Sequence, residues 1–388
     1  MQSAMHDVYI AGTGLHPFGR FPDQTLPQLG RAAAHAALED AGIDRHTVQA
    51  LYCGTVYGGV AAGHKVWSLL GATGIPIVNV EAGCASGVAA LALARTAVAA
   101  GQYETVLVVG IEKMPKGMIR SSFFEPWQER SGLHATPAYF ALRALRLMEE
   151  EGLEREHLAA VVVKNRAHGA HNPYAMFRTA VTREEVLGSP LVCPPLHLLM
   201  LCSPNEGAAA VILSRRRPAG RPPVRIRAMA LRSHVAGDVL GEHTPMSGWA
   251  AAEVTSPTER AAQAAYHEAA VGPADLDLVE CQDTDAAREL LAYRELALCP
   301  PGTCAGAVES GQTRLGGRLP VNASGGLLSK GEPLGASGLA QVVEVCWQLE
   351  GRAGERQVER ARLGLTHTVG RGANAAVTIL ERVAGFAP

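Results

Sequence analysis

The sequence predicts an α/β protein in which one arrangement of strands and helices is written twice. Three observations carry this. Apolar, strand-like runs alternate with helix-length segments along the chain. The order of those elements in the first half recurs in the second. And the stretch 78–100, VNVEAGCASGVAALALARTAVAA, joins a buried strand to a long helix through a turn of small residues. Strands that alternate with helices put helices on both faces of a sheet.

The first half opens with a strand at Val8–Gly12, then a helix at Leu26–Ala41, then AGIDRHTVQALYCGTV, a loop into a strand. VNVEAGCASG and its helix follow, then a strand at Thr105–Gly110 and the closing run EGAAAVILSRR at 206–216. The second half repeats this with a strand at Val224–Leu231, a helix at Pro257–Ala270, and VGPADLDLVECQD, again a loop into a strand. PVNASGGLLSKGEPLGASG, a helix at Leu339–Glu350, a strand at Leu363–His367 and GANAAVTILERV at 372–383 complete it. The proline-rich stretch 215–224 reads as the linker, so the halves are placed at 1–222 and 223–388. Residues from about 112 to 204 form an insertion, less regular and rich in His, expected to cap the first half. A duplication brings corresponding loops together at a pseudo-twofold axis. The Cys84 turn and the loops at 281–285, 325–337 and 366–373 are therefore expected to line one crevice, at the strand carboxyl ends where α/β sheets bind ligands.

Composition bounds the function. A chain of 388 residues with 47% hydrophobic side chains fills a large core of two or three domain-sized units. The net charge of −2 and the lack of a basic stripe interleaved with aromatics argue against a nucleic-acid partner. The N-terminus MQSAMHDVYIAG lacks a basic and then apolar leader pattern, and no run of eighteen apolar residues occurs. The expectation is a cytoplasmic protein that does not enter the membrane. Eight cysteines without a CxxC pair speak against a zinc ribbon and a secreted disulfide frame. No cluster has metal-ligand spacing, and the Gly-rich loops lack the dinucleotide and phosphate-loop patterns, so neither a metal nor a bound cofactor is expected.

Cys84 is the leading chemical candidate. It sits where a strand meets a helix N-terminus, and a thiolate is favoured by the unpaired amides and positive dipole end found there. Small neighbours let a substrate carbonyl approach the backbone. The plain alternative is a buried structural cysteine, which behaves as a small hydrophobe.

Over essentially its whole length the chain resembles the thiolase superfamily, and within it the sterol-carrier-protein-type branch of lipid-transfer acyl-CoA thiolases. VEAGCASG is similar to that branch's nucleophile motif. Lys164-Asn165 with the segment from His171 to Arg178 resembles its KNH…NPYAQF block. Leu196-His197-Leu198-Leu199 and Glu206-Gly207-Ala208-Ala209-Ala210 match its next signature, and the segment from Val321 to Gly338 is close to its VNPSGG…SKGHPLGATG. The resemblance implies duplicated βαβαβ halves forming a five-layer α-β-α-β-α sandwich. It also implies a homodimer, acyl-CoA or a carrier-bound acyl group as the thioester substrate, and a place in lipid metabolism. Some relatives act with a small OB-fold zinc partner.

The catalytic loops depart from the family. Its nucleophile is present as Cys84. The histidine of its GHP motif falls on Glu332. Its HDCF loop falls on Gln282-Asp283-Thr284-Asp285, so Gln282 replaces a His and Thr284 replaces a second Cys. Its last loop, HNxGxGG, is His367-Thr368-Val369-Gly370-Arg371-Gly372 here. The resemblance implies an oxyanion hole from the backbone N–H groups of Cys84 and Gly370. Glu332 is either the base for Cys84 or for an incoming acceptor, or a loop residue bonded to nearby amides. Gln282 either offers its amide to a carbonyl or is a polar turn residue. Asp283 and Asp285 read as turn residues that cap the following helix. His367 is either a neighbour of the oxyanion loop or a core histidine bonded to backbone, and His197 reads as structural. The expected activity is acyl transfer through Cys84 to a nucleophilic acceptor. The alternatives are a true acetyl-CoA acetyltransferase (3-ketoacyl thiolase) using Glu332 and Gln282, a retro-aldol lyase, or a non-catalytic subunit.

Overall fold

In a computed structural model, which describes residues 5–117, 126–132, 135–235, 254–370 and 374–384, the written duplication becomes a first and a second half-sheet joined in one nine-stranded order. The first half supplies β1 (Tyr9–Gly19), β2 (Leu51–Gly54), β3 (Ile77–Val80) and β4 (Thr105–Lys113). A small ribbon, β5 (Leu191–Cys193) with β6 (Leu196–His197), lies in the insertion before β7 (Glu206–Ser214). The second half supplies β8 (Val224–Ser233), β9 (Leu278–Cys281), β10 (Leu363–Val369) and β11 (Asn374–Arg382).

The strand order is β3-β2-β4-β7-β1-β8-β11-β10-β9, and the halves join where Tyr9 faces Arg225 and Ile10 faces Val224. Pairing repeats the internal symmetry. β2 runs parallel to β4, β4 antiparallel to β7, and β7 antiparallel to β1. In the second half β9 runs parallel to β10, β10 antiparallel to β11, and β11 antiparallel to β8. Val321 pairs in parallel with Val279, standing where β3 stands in the first half.

Alternation along the strands generates the layers. Leu107, Val109, Ala210 and Ile212 of the first sheet face the helix Leu26–Ala41. Their neighbours Val106, Val108, Val211 and Leu213 face the other way. There they share a core with Leu278, Ala376 and Leu380 of the second sheet and with the helices Ser86–Ala99 and Leu334–Glu350. Val279, Val377 and Ile379 face an outer core with the helices Pro257–Ala269 and Ala286–Glu295. These three cores between helix and sheet make five layers.

The insertion departs from expectation in two ways. It holds two sixteen-residue helices, Thr136–Glu151 and Arg155–Ala170. And it covers the second half, not the first: Ala144, Leu147, Leu158 and Val162 share the outer core with Leu290, Leu291 and Tyr293. The apolar faces of both helices need a partner, and the outer helix of the second sheet supplies it. β1 also runs on to Gly19, past the expected end at Gly12. Register shifts between Ile10 and Gly12 and between His16 and Gly19 absorb its glycines and proline.

In the middle layer two helix N-termini meet backbone to backbone. A Cβ on Gly87 would lie 2.4 Å from the Gly335 carbonyl oxygen, and one on Gly335 would lie 2.6 Å from that of Ile111. No side-chain rotation relieves such a contact. Gly335→Ala is therefore expected to lower stability by roughly 1–3 kcal/mol, read as a lower urea midpoint at unchanged slope. Among the described residues no helix is long and apolar enough to cross a membrane.

Candidate active site

β3 ends at Val80 and the helix begins at Ser86, so five residues must reverse the chain. Ser86 does much of this. Its hydroxyl accepts from the Ala82 N–H at 2.9 Å and donates to the Gly83 carbonyl at 2.6 Å, while Gly83 takes a positive φ of 57°. Cys84 stands at the apex, 7% exposed, with Val56, Met114 and Leu334 packed around it.

Glu332 reaches the same place from the second half. Its N–H donates to the Ser203 carbonyl at 2.9 Å, and Pro204 pairs with it as a short parallel bridge. The carboxylate is buried and held at both oxygens. Gln282 Nε2 donates to Oε1 at 2.8 Å, and Cys202 Sγ donates to Oε2 at 3.2 Å. Burial pushes the Glu332 carboxyl above the usual carboxylate range. Hydrogen bonds from the Cys202 thiol, the Cys84 thiol and the Gln282 amide oppose this, as does the charge of Arg143. Cys84 is thus one of the groups that act on the Glu332 carboxylate.

The 282–285 turn completes the pocket. Gln282 Oε1 accepts the Val369 N–H at the end of β10, so its amide ties Glu332 to the last loop. The expectation that Gln282 presents its amide to a substrate carbonyl is corrected to this extent: one of its N–H groups is committed to Glu332. The Thr284 hydroxyl donates to Asp285 at 3.2 Å and accepts from Arg143 at 3.2 Å. Arg143 comes from the insertion and is 5% exposed. Its guanidinium also pairs with Asp285 and stacks 5.0 Å from the Phe140 ring centre.

Three other expectations change. Gly370 lies against the Cys84 turn, where a Cβ would sit 2.1 Å from the Ala82 carbonyl oxygen. Its N–H, however, donates to the Asn374 carbonyl at 2.7 Å, so this amide is engaged in its own hairpin and does not stand ready for an oxyanion. His367 is fully buried on the outer face of β10, in line with Leu365 and Val369. Its Nε2 meets Thr258 Oγ1 at 3.1 Å and Arg288 Nη2 at 3.3 Å. Strand alternation, not sequence proximity to Gly370, decides where its ring goes. Asp285 caps the helix that follows, accepting the Arg288 N–H at 2.9 Å, but Asp283 caps another, accepting the Leu327 N–H at 2.6 Å. Arg371 and Gly372 lie outside the described residues. His197 Nδ1 meets the Ser189 carbonyl at 2.7 Å, and His168 bonds the Asn322 carbonyl at 2.9 Å.

Beneath the turn lies a buried polar cluster. Lys164 Nζ sits 2.6 Å from Glu289, both fully buried, and donates to the Val321 carbonyl at 2.8 Å. Asn165 bridges Asp283 at 2.8 Å and Glu289 at 2.6 Å. This cluster fixes the 282–285 turn and the first turn of the helix Gly326–Lys330, which leads to Glu332. Among the described residues no group of three or more His, Cys, Asp or Glu is placed to hold a metal ion.

Comparison with known proteins shows the family. Residues 8–217 match the family described as thiolase, N-terminal domain, and residues 241–382 match thiolase C-terminal domain-like. The chain belongs to the thiolase family. It is 38% identical to acetyl-CoA acetyltransferase of Methanothermobacter thermautotrophicus, over 97% of this chain and 100% of that one. It is 35% identical to sterol carrier protein 2 of Gallus gallus, over 96% of this chain and 71% of that protein. Among solved structures, "Ltp2-ChsH2(DUF35) aldolase" superposes with a TM-score of 0.86 at 25% identity, covering 98% of this chain and 99% of that one. This thiolase-family enzyme is accordingly of acyltransferase type.

Two site residues escaped the sequence reading. Cys202 was one of eight scattered cysteines, and its partner is 130 positions away. Arg143 had a signal: it shares a helix face with Tyr139 and Leu147, at a position where a buried helix carries an apolar residue.

Proposed function

We propose that this thiolase-family enzyme transfers an acyl group through a thioester on Cys84, with Glu332 as the proton acceptor. The observation that carries the reading is the buried Glu332 carboxylate, held by Gln282 and Cys202 and acted on by the Cys84 thiol. Cys84 Sγ attacks the carbonyl carbon of an acyl thioester while its proton passes to the Glu332 carboxylate. The C–S bond of the donor breaks, and the departing thiolate recovers that proton. In the second step an alcohol or amine acceptor gives its proton to Glu332 and bonds the acyl carbon, the bond from that carbon to Cys84 Sγ breaks, and Glu332 returns the proton to the sulfur; a carbanion acceptor needs no such proton transfer. A buried carboxylate would repel a free thiolate, so proton transfer accompanies C–S bond formation.

The donor is a CoA-bound or carrier-bound acyl thioester, and the acceptor is an alcohol, an amine or a stabilised carbanion. Thr284 stands where the family holds its second thiol, and its hydroxyl is committed to Asp285 and Arg143. It offers no base for removing a proton from an unactivated thioester. A homodimer fits the sheet edge at β3, where Val78 is 41% exposed. The neighbour named with a DUF35 partner supports a second polypeptide, such as a small OB-fold zinc protein or an acyl carrier, at some stage.

Intact-mass measurement after mixing the protein with a panel of short and branched acyl-CoAs tests the reading. Gain of one acyl mass, mapped to the peptide bearing Cys84, is the expected result. No adduct with any thioester, together with substrate cleavage that survives in Cys84→Ala, would overturn it in favour of the lyase reading.

A further inference from the structure

We propose that Cys202 is a positioning residue of this centre: its thiol, with the Gln282 amide, clamps the Glu332 carboxylate and keeps it ionised and aimed at Cys84. The proposal rests on the reading of Cys84 and Glu332 as the acyl-transfer pair.

The geometry is a two-point clamp. Gln282 occupies Oε1 at 2.8 Å and Cys202 occupies Oε2 at 3.2 Å. A carboxylate with a donor on each oxygen has its plane fixed and keeps further lone pairs for a third donor such as the Cys84 thiol. Cys202 itself is built in from both sides. Its N–H donates to the Thr284 carbonyl at 2.9 Å, and Leu201 pairs with Asp285. Ser203 accepts the Glu332 N–H at 2.9 Å, and Pro204 pairs with Glu332. Segment 201–204 is therefore stitched between the 282–285 turn and the Glu332 loop, and the thiol has little freedom to turn away.

The chemistry suits a permanent donor. Burial pushes the Cys202 thiol well above its ordinary range, and the Glu332 charge and its hydrogen bond push it further. Cys202 thus stays S–H while Glu332 is charged, which is the protonation state the clamp requires. Around Glu332 stand Cys84 on the first-half turn, Cys202 on the segment before β7, Gln282 on the turn after β9, and Arg143 from the insertion. Asp283 adds its charge near Cys202. Arg143 is shared with Asp285, so its charge on Glu332 is partly offset, and the two direct donors are left to hold the carboxylate in its ionised form.

The test is the pH dependence of Cys84 alkylation by iodoacetamide, followed by peptide mass, in wild type, Cys202→Ala, Cys202→Ser and Glu332→Gln. In this reaction the Cys84 S–C bond forms, iodide leaves, and the thiol proton passes to Glu332. Wild type should show an acid limb at the Glu332 ionisation. Cys202→Ala removes a donor from a charged acceptor, and its limb is expected about one pH unit higher. Cys202→Ser restores an O–H donor and should return the limb most of the way. Loss of packing alone would move both variants together and leave the limb in place. A Cys202→Ala limb that superimposes on wild type, or a Cys202→Ser limb displaced as far as that of Cys202→Ala, overturns the proposal. A limb that persists unchanged in Glu332→Gln overturns the underlying acyl-transfer pair instead, so the two failures are distinguishable.

Discussion

The Glu332→Gln variant is expected to form the Cys84 acyl adduct about 10²–10⁴-fold more slowly than wild type, and the Cys84→Ala variant not at all. Glutamine keeps the shape, and its one carbonyl oxygen keeps one of the two donors, Gln282 or Cys202, but it cannot accept a proton at useful pH. Cys84 must then lose its proton to water before attack. The wild-type acid limb gives an independent reading. Burial raises the Glu332 carboxyl, so its ionised form appears above the usual carboxylate range. Acylation should fall as pH drops through that raised value, and the Glu332→Gln variant should lack this limb. Because nucleophile and base act as a unit, Cys84→Ala combined with Glu332→Gln should be no worse than Cys84→Ala alone. Time-resolved intact-mass measurement of adduct formation checks both variants, and equal rates in wild type and Glu332→Gln would remove Glu332 from the reaction.

The duplication was legible because each half needs the same periodicities: two for strands, 3.6 for helices. Helix Leu26–Ala41 has a proline, Pro27, as its second residue and ends before Gly42, which has a left-handed φ of 64°, and both bounds could be read from the residues. Convergence of the Cys84, Gln282 and Glu332 loops followed from symmetry alone. What stayed hidden depended on direction. His367 follows the alternation of β10 onto the outer face, while Val369, two residues on, turns its N–H to Gln282. Gly370 sits against the Cys84 turn, yet its own N–H closes a hairpin to Asn374. The insertion follows the first half in sequence yet packs on the second. Its packing was decided by an outer helix encoded more than a hundred residues later. Cys202 had no local pattern, since its function lies in a single long-range hydrogen bond.

Lys164→Met is expected to destabilise the protein by about 3–5 kcal/mol, because it strands the Glu289 carboxylate in a fully buried site. Glu289 also accepts from Asn165, Asn322 and Tyr293, each at 2.6 Å, but those donors are neutral and supply no countercharge. A double variant, Lys164→Met with Glu289→Gln, removes both charges and keeps most of the amide contacts. It should recover much of the loss, and the coupling between the two sites should appear as a non-additive shift of the urea midpoint. The consequence reaches the active site through Asp283. Asn165 bridges Glu289 to Asp283, and Asp283 holds the Leu327 N–H at the start of the helix that leads to Glu332. Under conditions where Lys164→Met remains folded, adduct formation at Cys84 should therefore slow as well, and the double variant should restore rate and stability together. A single variant that costs less than about 1 kcal/mol would mean that the ion pair holds nothing the surrounding amides do not already hold. Recovery of stability without recovery of rate would mean that the cluster stabilises the fold but does not place Glu332.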